Sequence, residues 1–223
     1  MPEKTRKKST NKKSARPAIG GNGAHRGQIL SDECREVVAN SVRHILNAVG
    51  EDPSRNGLAG TPDRVARMYD ELLEGYSVDP EAMLNNALFD VEYDQMVVVK
   101  DIEFYSMCEH HMIPFFGYAH VGYLPDAQVI GLSKIPRLVE MFARRLQVQE
   151  RMTHQVATFL EDLVRPLGVG VVVEATPLCA VMRGVKKHHT RMITSAMLGD
   201  FRNNISTREE FMAHIRHGGN PGL

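Results

Sequence analysis

The stretch MVVVKDIEFYSMCEHHMIPFFGYAHVGYLP (residues 96–125) decides the fold of this chain. Its two ends, 96–107 and 115–125, are rich in Val, Ile, Phe and Tyr, which is typical of β-strands. The residues between them, CEHHMIP, place a cysteine, a carboxylate and two histidines in consecutive positions shortly before a proline. We therefore predict two strands joined by a connection that carries this polar cluster.

The residues after this stretch predict a mixed architecture. Apolar residues recur at helical spacing in two segments and then form two β-like runs, which predicts helices and strands at 135–146, 152–163, 168–178 and 191–198. The closing segment STREEFMAHI predicts a last helix with Ser206 or Thr207 as its N-cap. The order of strands, two helices and strands indicates an α+β fold with an antiparallel sheet.

The residues before the central stretch favour helices. Ser31 is the predicted N-cap of the first helix, which has two acidic residues in its first turn. Thr61 and Pro62 open a second helix that runs to about Gly75, because proline suits the first helical position. A short third helix is predicted at 80–88. This part of the chain is therefore expected to be a helical segment.

Composition narrows the class of protein. A chain of 223 residues with 43% apolar residues can form one domain with a substantial core. It contains no run of 18 apolar residues, and its start, MPEKTRKKSTNKK, lacks the apolar stretch of a signal peptide. Its three cysteines, Cys34, Cys108 and Cys179, are too far apart for a disulfide framework. We therefore expect a cytoplasmic protein with no membrane segment.

The formal net charge of zero conceals an uneven distribution. Residues 1–27 hold eight of the 27 Lys and Arg residues but one of the 27 Asp and Glu residues. Small and polar residues fill most other positions, so we predict that this basic tail is disordered. We interpret it as a solubilising leader, because no aromatic residue interleaves the charges as a nucleic-acid-binding arm would favour. The predicted domain spans 28–223, with its helical part at about 31–90.

The polar cluster of the central stretch suggests a metal site. Thiolate and imidazole are ligands that Zn²⁺ prefers, and a catalytic zinc usually takes three protein ligands. Cys108 and His111 can supply two of them from one connection, and Cys179, at the end of a distant strand, can supply the third. The alternative is that both cysteines are ordinary buried thiols. A structural zinc finger is disfavoured, because Cys179 has no close partner before it.

Two helix starts suggest a site for an anion and a base. In GLSKIPR, Ser133 stands where a helix begins and Lys134 and Arg137 lie in its first turn, near backbone N–H groups expected to be unpaired. In QVQER, Gln149 and Glu150 begin the next helix, where a carboxylate can accept two hydrogen bonds from a guanine edge. The alternatives are a capped helix with solvated cations and an ordinary helix-dipole carboxylate.

Five motifs carry a family resemblance that none carries alone. In chain order they are GTPDRVARMYDELLEGY, FYSMCEHHMIPFFG, VIGLSKIPRLVEMFARRLQVQERMT, VVVEATPLCAVMRGV and STREEF. From about residue 31 to 216 the chain resembles the GTP cyclohydrolase I family. The resemblance implies the tunnelling fold, here at about 91–217, in which subunits pair their sheets into rings. It also implies a homodecamer of two stacked rings with active sites between subunits.

The resemblance further implies a reaction and a set of roles. Zinc activates water for attack on the purine of GTP, which releases formate and yields 7,8-dihydroneopterin triphosphate. His110 is then free for proton transfer, or it orients a neighbouring group, and Glu109 supports the loop. The remaining roles are zinc ligation by Cys108, His111 and Cys179, triphosphate binding by Ser133, Lys134, Arg137 and Arg183, and guanine recognition by Gln149 and Glu150.

The chain departs from the family at the proton donor. The family reads EAxHxC before its last zinc ligand, whereas this chain reads EATPLC and has Pro177 in place of the histidine. His188 and His189 stand nearby where the family usually has Pro-Gly, so either could replace the acid, although both could equally be exposed loop residues. Proline also fixes φ and lacks an N–H, so its strand end is expected to bend.

Three hypotheses follow from this departure. The first is a working GTP cyclohydrolase I in which His110, His188 or His189 supplies the missing proton. The second is a divergent enzyme that stops at an open-ring formamidopyrimidine or deformylated pyrimidine. The third is a catalytically silent ring that binds or regulates a partner, which intact metal and phosphate residues disfavour.

Overall fold

The computed structural model of the protein describes residues 29–85 and 87–216. The helices are α1 (Asp32–Ala48), α2 (Thr61–Leu72), α3 (Pro80–Leu84), α4 (Lys134–Ala143), α5 (Gln149–Val164), α6 (Leu178–Val181), α7 (Asp200–Asn203) and α8 (Ile205–Arg216). The strands are β1 (Leu88–Asp90), β2 (Val97–Cys108), β3 (Pro114–Leu124), β4 (Gln128–Ile130), β5 (Leu146–Gln147), β6 (Gly168–Pro177) and β7 (Met192–Gly199). The predicted basic tail at 1–27 lies outside the described residues.

The predicted fold class is confirmed. Five strands form the main sheet in the order β5-β2-β3-β6-β7, and every neighbouring pair is antiparallel except β2 with β5. Strands β2 and β3 are the two that the central stretch predicted, paired from Val97 with Tyr123 to Met107 with Pro114. The α+β class with an antiparallel sheet is therefore correct, and it is consistent with the tunnelling fold.

The main core lies between this sheet and helices α4 and α5. Alternate residues of the strands face the helices, so Val121 and Val171 are fully buried there. Leu138 on α4 and Leu160 on α5 are buried on the facing side, as their helical spacing predicted. Burying side chains of this size stabilises the fold by about 1.5–3 kcal/mol each. This packing fixes α5 against the sheet.

The opposite face of the sheet carries a smaller core under α7 and α8. Phe201 and Phe211 are fully buried and pack edge to face, with ring centroids 5.4 Å apart. They lie directly over two strand glycines, because a Cβ on Gly170 would stand 2.4 Å from a ring carbon of Phe201 and one on Gly122 2.8 Å from Phe211. Glycine is therefore required where these rings meet the backbone.

The structure corrects the predicted start of the last helix and the predicted end of the third. Helix α8 begins at Ile205, and Asn204, not Ser206 or Thr207, caps it by accepting backbone N–H groups of both. The third helix ends at Leu84, since Asn85 takes a left-handed φ of 44° and ends the turn.

The second helix also ends before its predicted limit. Helix α2 stops at Leu72, and a short 3₁₀ turn at Glu74–Tyr76 follows. There the backbone of Gly75 passes so close to helix α4 that a Cβ would stand 2.3 Å from the carbonyl oxygen of Met141. The N-cap role of Ser31 is confirmed, because its hydroxyl accepts the backbone N–H of Cys34 at 3.2 Å.

The shortest elements, among them β1, β4 and α7, were missed by the sequence patterns. Strands β1 and β4 pair with each other in a separate two-stranded sheet, and each has only three residues. Helix α7 has four residues and follows β7 directly. Elements this short show no measurable periodicity, so tertiary pairing determines them. None of the helices in the described part is both long and apolar enough to cross a membrane.

Candidate metal centre and substrate cavity

The three predicted metal ligands lie together. Cys108 is the last residue of β2, His111 lies in the turn that follows, and Cys179 lies in α6, directly after β6. One possible ligand atom from each residue lies within 4.8 Å of the other two. Because β2 and β6 both flank β3, the sheet brings together cysteines that are distant in sequence. Two thiols and one imidazole form a donor set that suits zinc.

The turn after β2 folds tightly on itself. The backbone carbonyl of Cys108 accepts the N–H of Met112 at 2.8 Å, and the backbone N–H of Cys108 donates to the carbonyl of Ile113 at 3.0 Å. Met112 adopts a left-handed φ of 51° that reverses the chain. As a result, Nδ1 of His111 lies 4.0 Å from the Cys108 sulfur, and Nδ1 of His110 lies 3.9 Å from it. Both histidines therefore border the thiol.

The surroundings of Cys179 disfavour ionisation of its thiol. Burial raises the pKa of its thiol, and the neighbouring Cys108 thiol raises this pKa further, while the positive charge of Arg183 opposes the shift. A cation held by the group reverses this preference, because thiolate is the ligand form of cysteine. Metal binding at this group is thus expected to release protons.

A cavity of about 620 Å³ adjoins the metal group. Its size lies within the range of about 300–1,000 Å³ that is usual for small-molecule sites. Its walls come from several parts of the fold, chiefly the end of β2 with the turn after it, the start of α5, and the end of β6 with the start of α6. They include Cys108, His110, Gln149, Glu150, Pro177 and Cys179. The structure therefore brings two of the predicted metal ligands, Cys108 and Cys179, and both predicted guanine-binding residues to one cavity, whereas His111 does not line it.

Gln149 has a structural task that the sequence did not predict. Its side-chain amide nitrogen donates to the carbonyl oxygens of Val173 at 3.0 Å and Met192 at 2.9 Å, and to the hydroxyl of Thr194 at 3.2 Å. Backbone carbonyls only accept, so the orientation of this buried amide is fixed. The side chain retains only its carbonyl oxygen for a ligand, and it can act there only as an acceptor.

The predicted phosphate residues lie elsewhere. Ser133, Lys134 and Arg137 begin α4 as predicted, but none of them lines the cavity beside the metal group. The Lys134 ammonium donates to the carbonyl of Met83 at 2.7 Å, and Arg137 lines a different cavity of about 280 Å³ beside Glu74. Within a single chain, the three predicted phosphate-binding residues at the start of α4 therefore do not share the cavity beside the metal ligands.

The start of α4 differs in detail from the expectation. Its first backbone N–H groups are not all unpaired, because Lys134 donates to the carbonyl of Gly131 at 2.9 Å and Ile135 to that of Leu132 at 3.3 Å. Ser133 is the N-cap residue, but its side chain caps no backbone N–H of the described helix. The tight turn before α4 accounts for this, since its own carbonyls satisfy the first donors.

The segment between α6 and β7 carries several cations. It leaves the cavity after Cys179 and returns to it at Met192, and its residues 182–191 include no acid. Arg183, His188 and His189 are all exposed, and none of them lines the cavity. The structure therefore does not bring the two loop histidines to the metal group.

Pro177 is the last residue of β6 and remains paired with β3. It lines the cavity and pairs with Phe115 in an unbroken register between β6 and β3. On the other side of β6, pairing with β7 ends at Ala175, so no ladder bond to β7 requires the missing N–H. Cys179 lies next to Cys108, and the expected bend of the strand end stays a prediction. What the substitution removes is a side chain that could carry a proton.

Comparisons with known proteins agree with the site. A family model described as GTP cyclohydrolase I matches residues 38–216. The chain is 55% identical over 187 residues to GTP cyclohydrolase 1 of Chlorobium phaeovibrioides, with 84% of each chain covered. It is 56% identical over 178 residues to that of Chlorobaculum tepidum, with 80% of each covered. Identity to the human GTP cyclohydrolase 1 is 50% over 208 residues, which covers 92% of this chain and 82% of the human protein.

Proposed function

The chain belongs to the GTP cyclohydrolase I family, and from this premise we propose that it is a zinc-dependent hydrolase that opens the purine ring of GTP. The proposed products are 7,8-dihydroneopterin triphosphate and formate. One observation carries the proposal: the Cys108, His111 and Cys179 donors converge beside a cavity that also contains Glu150. A catalytically silent paralogue has no need of this arrangement.

Neighbouring residues of the polar turn are proposed to have different roles: Cys108 and His111 bind the metal, and His110 transfers protons. Cys108, His111 and Cys179 would hold the zinc, which would supply Lewis-acid activation of water near neutral pH. His110 lines the cavity and lies outside the donor group, so its imidazole can move protons to and from the substrate. The alternative for His110 is to orient the adjacent thiolate through its 3.9 Å contact with Cys108.

The start of α5 is the proposed site of guanine recognition. Glu150 is exposed and lines the cavity in the first turn of this helix. The fixed amide of Gln149 leaves an acceptor beside it. Two acceptors complement the ring N–H and amino group of guanine, whereas adenine presents an acceptor at the matching ring nitrogen. This arrangement therefore selects GTP over ATP.

Replacing Glu150 with alanine is expected to relax this selection. Sites built to hydrogen-bond a ligand discriminate strongly, so the ratio of the Kd for ATP to that for GTP should fall by about 100-fold or more. The measurement is calorimetric titration with both nucleotides. Asp162→Ala is the matched control, because Asp162 is an exposed acid on the same helix and outside the cavity. Unchanged discrimination in Glu150→Ala would assign guanine recognition to other residues.

The triphosphate is proposed to bind between subunits. Ser133, Lys134 and Arg137 do not line the cavity of their own chain, which supports their supply by a neighbouring subunit. Arg183 comes from the segment beside the metal group. This division supports an assembly with shared active sites, and the decamer of two rings remains a prediction, as does the cytoplasmic location.

Mixing two defective variants is expected to restore activity if sites are shared. Cys108→Ser lacks a metal ligand and Lys134→Ala lacks a phosphate contact, so each alone should turn over GTP poorly at low concentration. In randomly mixed oligomers about a quarter of the shared sites combine an intact metal group with an intact phosphate group. The steady-state rate of co-expressed variants measures this recovery. A mixture no more active than the sum of its parts would place both sets in one subunit.

Mass spectrometry of the products from GTP tests the function as a whole. The proposed reaction gives formate and dihydroneopterin triphosphate in equal amounts. Pro177 favours a second candidate function, in which the reaction stops at a formamidopyrimidine or deformylated pyrimidine for lack of the family acid. Detection of the open-ring compound without pterin would establish this alternative. Unchanged GTP in the presence of zinc would exclude both.

A further inference from the structure

We propose that Arg151 is a positioning residue that acts through Glu109 to hold the turn carrying His110 and His111. The inference rests on the proposed function for its catalytic consequence, but its metal-binding consequence is measured independently of GTP. Arg151 lies in the first turn of α5, next to Glu150, and it lines the cavity.

One guanidinium group links three partners around the metal turn. Arg151 forms an ion pair with the carboxylate of Glu109 through Nη2. The same Nη2 donates to the carbonyl of Leu146 at 3.2 Å, while Nε donates to Oε1 of Gln147 at 3.1 Å. The planar, forked guanidinium can satisfy these divergent acceptors together, which a lysine ammonium does with less geometric control.

Gln147 anchors this arrangement in the core. It is 2% exposed, and its amide nitrogen donates to the carbonyl of Phe142 at 2.9 Å and to Oε1 of Gln155 at 2.8 Å. The carbonyl of Phe142 can only accept, so the amide nitrogen must face it and Oε1 must face Arg151. The guanidinium is thus held by a buried side chain whose orientation is fixed.

Glu109 is consequently held at both its backbone and its side chain. Its N–H donates to the backbone carbonyl of Gln147 at 3.0 Å, beside the parallel pairing of Cys108 with Gln147. Its carboxylate meets Arg151 on the other side. The next residues along the chain are His110 and His111. A residue fixed twice immediately before them limits the rotation of the turn and the positions of both imidazoles.

The ion pair between Arg151 and Glu109 therefore connects the metal ligands with the proposed guanine-binding residues. It joins the turn that carries His111 to the helix start that carries Glu150, with only Arg151 and Glu109 between them. Groups that orient a metal ligand without touching the metal typically contribute about 10- to 100-fold to metal affinity or activity. The side chains of Arg151 and Glu109 are 43% and 33% exposed, so a geometric role fits them better than a purely stabilising ion pair.

Replacing Arg151 with glutamine is expected to speed zinc loss and lower kcat. Release of zinc to a chromogenic chelator should be about 10- to 100-fold faster than from the wild type. The KM for GTP should change little, and Arg151→Lys should recover part of both losses because it retains the charge. The matched control is Arg55→Gln, which breaks an ion pair of similar exposure with Glu51, away from the cavity.

A double-mutant cycle tests whether Arg151 acts through Glu109. If it does, Glu109→Gln alone should speed zinc release as much as Arg151→Gln, and the double variant should be no worse than either. Additive losses, or a raised KM with wild-type zinc release, would overturn the proposal and make Arg151 a substrate contact. If Arg151→Gln does not fold, the rate of zinc release from Glu109→Gln tests the proposal alone, and a wild-type rate would overturn it. Wild-type protein that retains no zinc after reconstitution would defeat the proposed function itself, and this inference with it.

Discussion

Cys179→Ser is expected to lose both bound zinc and turnover. Dialysed wild-type protein should carry about one zinc per chain, because two thiolates and an imidazole favour zinc over magnesium or calcium. Serine is not ionised at neutral pH and is a much weaker zinc ligand than thiolate. The loss should exceed the roughly 10- to 100-fold caused by removing a group that only orients a ligand. Elemental analysis and the rate of formate release measure the two effects.

The third cysteine provides the control for this experiment. Cys34 is exposed on α1 and lies outside the metal group, so Cys34→Ser should keep both zinc and turnover. Cys108→Ser should behave like Cys179→Ser, since both sulfurs belong to the same group. Full zinc occupancy in either of these two variants would remove the assignment, whereas zinc loss in Cys34→Ser would indicate a nonspecific effect of losing a thiol.

Pro177→His is expected to raise the rate of pterin formation. A positioned acid contributes about 10²- to 10⁴-fold to a step that requires proton transfer, so a gain within this range is expected if that step limits the wild type. The backbone accepts the change, because Pro177 has φ −84° and ψ 102° in the extended region and its strand register is unbroken. The side chain at this position borders the cavity. Chromatography of dihydroneopterin triphosphate measures the rate.

Pro177→Ala separates chemistry from geometry. Alanine restores the backbone N–H and frees φ but supplies no proton, so it should leave the wild-type rate nearly unchanged. An equal gain in Pro177→Ala and Pro177→His would show that proline limits the enzyme through backbone conformation. If neither variant forms pterin faster than the wild type, the missing histidine is not what limits this enzyme.

The loop histidines can be tested in the same assay. If one of them has replaced the acid, His188→Ala or His189→Ala should abolish the wild-type reaction, and adding Pro177→His should partly restore it. Both side chains are exposed and outside the cavity, whereas His110 lines it. This geometry favours His110 as the proton donor. A wild-type rate in both loop variants would agree with it.

Local patterns predicted most of the regular structure. The strands on either side of the polar turn and helices α4 and α5 were predictable because their apolar residues repeat with the period of the element over ten or more residues. The Ser31 cap was predictable for a similar reason, since a cap bonds within its own turn. The cap of α8 was not, because three polar residues within four positions could each serve, and the extended backbone of Asn204 made it the cap.

The sequence by itself determined the family, the order of the main elements and the donor types of the site. Cys108 and His111 are close in any compact turn, so their pairing required no knowledge of the fold. Tertiary structure decided the features of the site that depend on contacts between residues distant in the sequence. Strand register brought Cys179 to the turn, and packing of α5 on the sheet fixed the amide of Gln149. The same packing placed Arg151 against Glu109 and left the phosphate residues outside the cavity, because side-chain partners across a sheet are set by three-dimensional packing rather than by local periodicity.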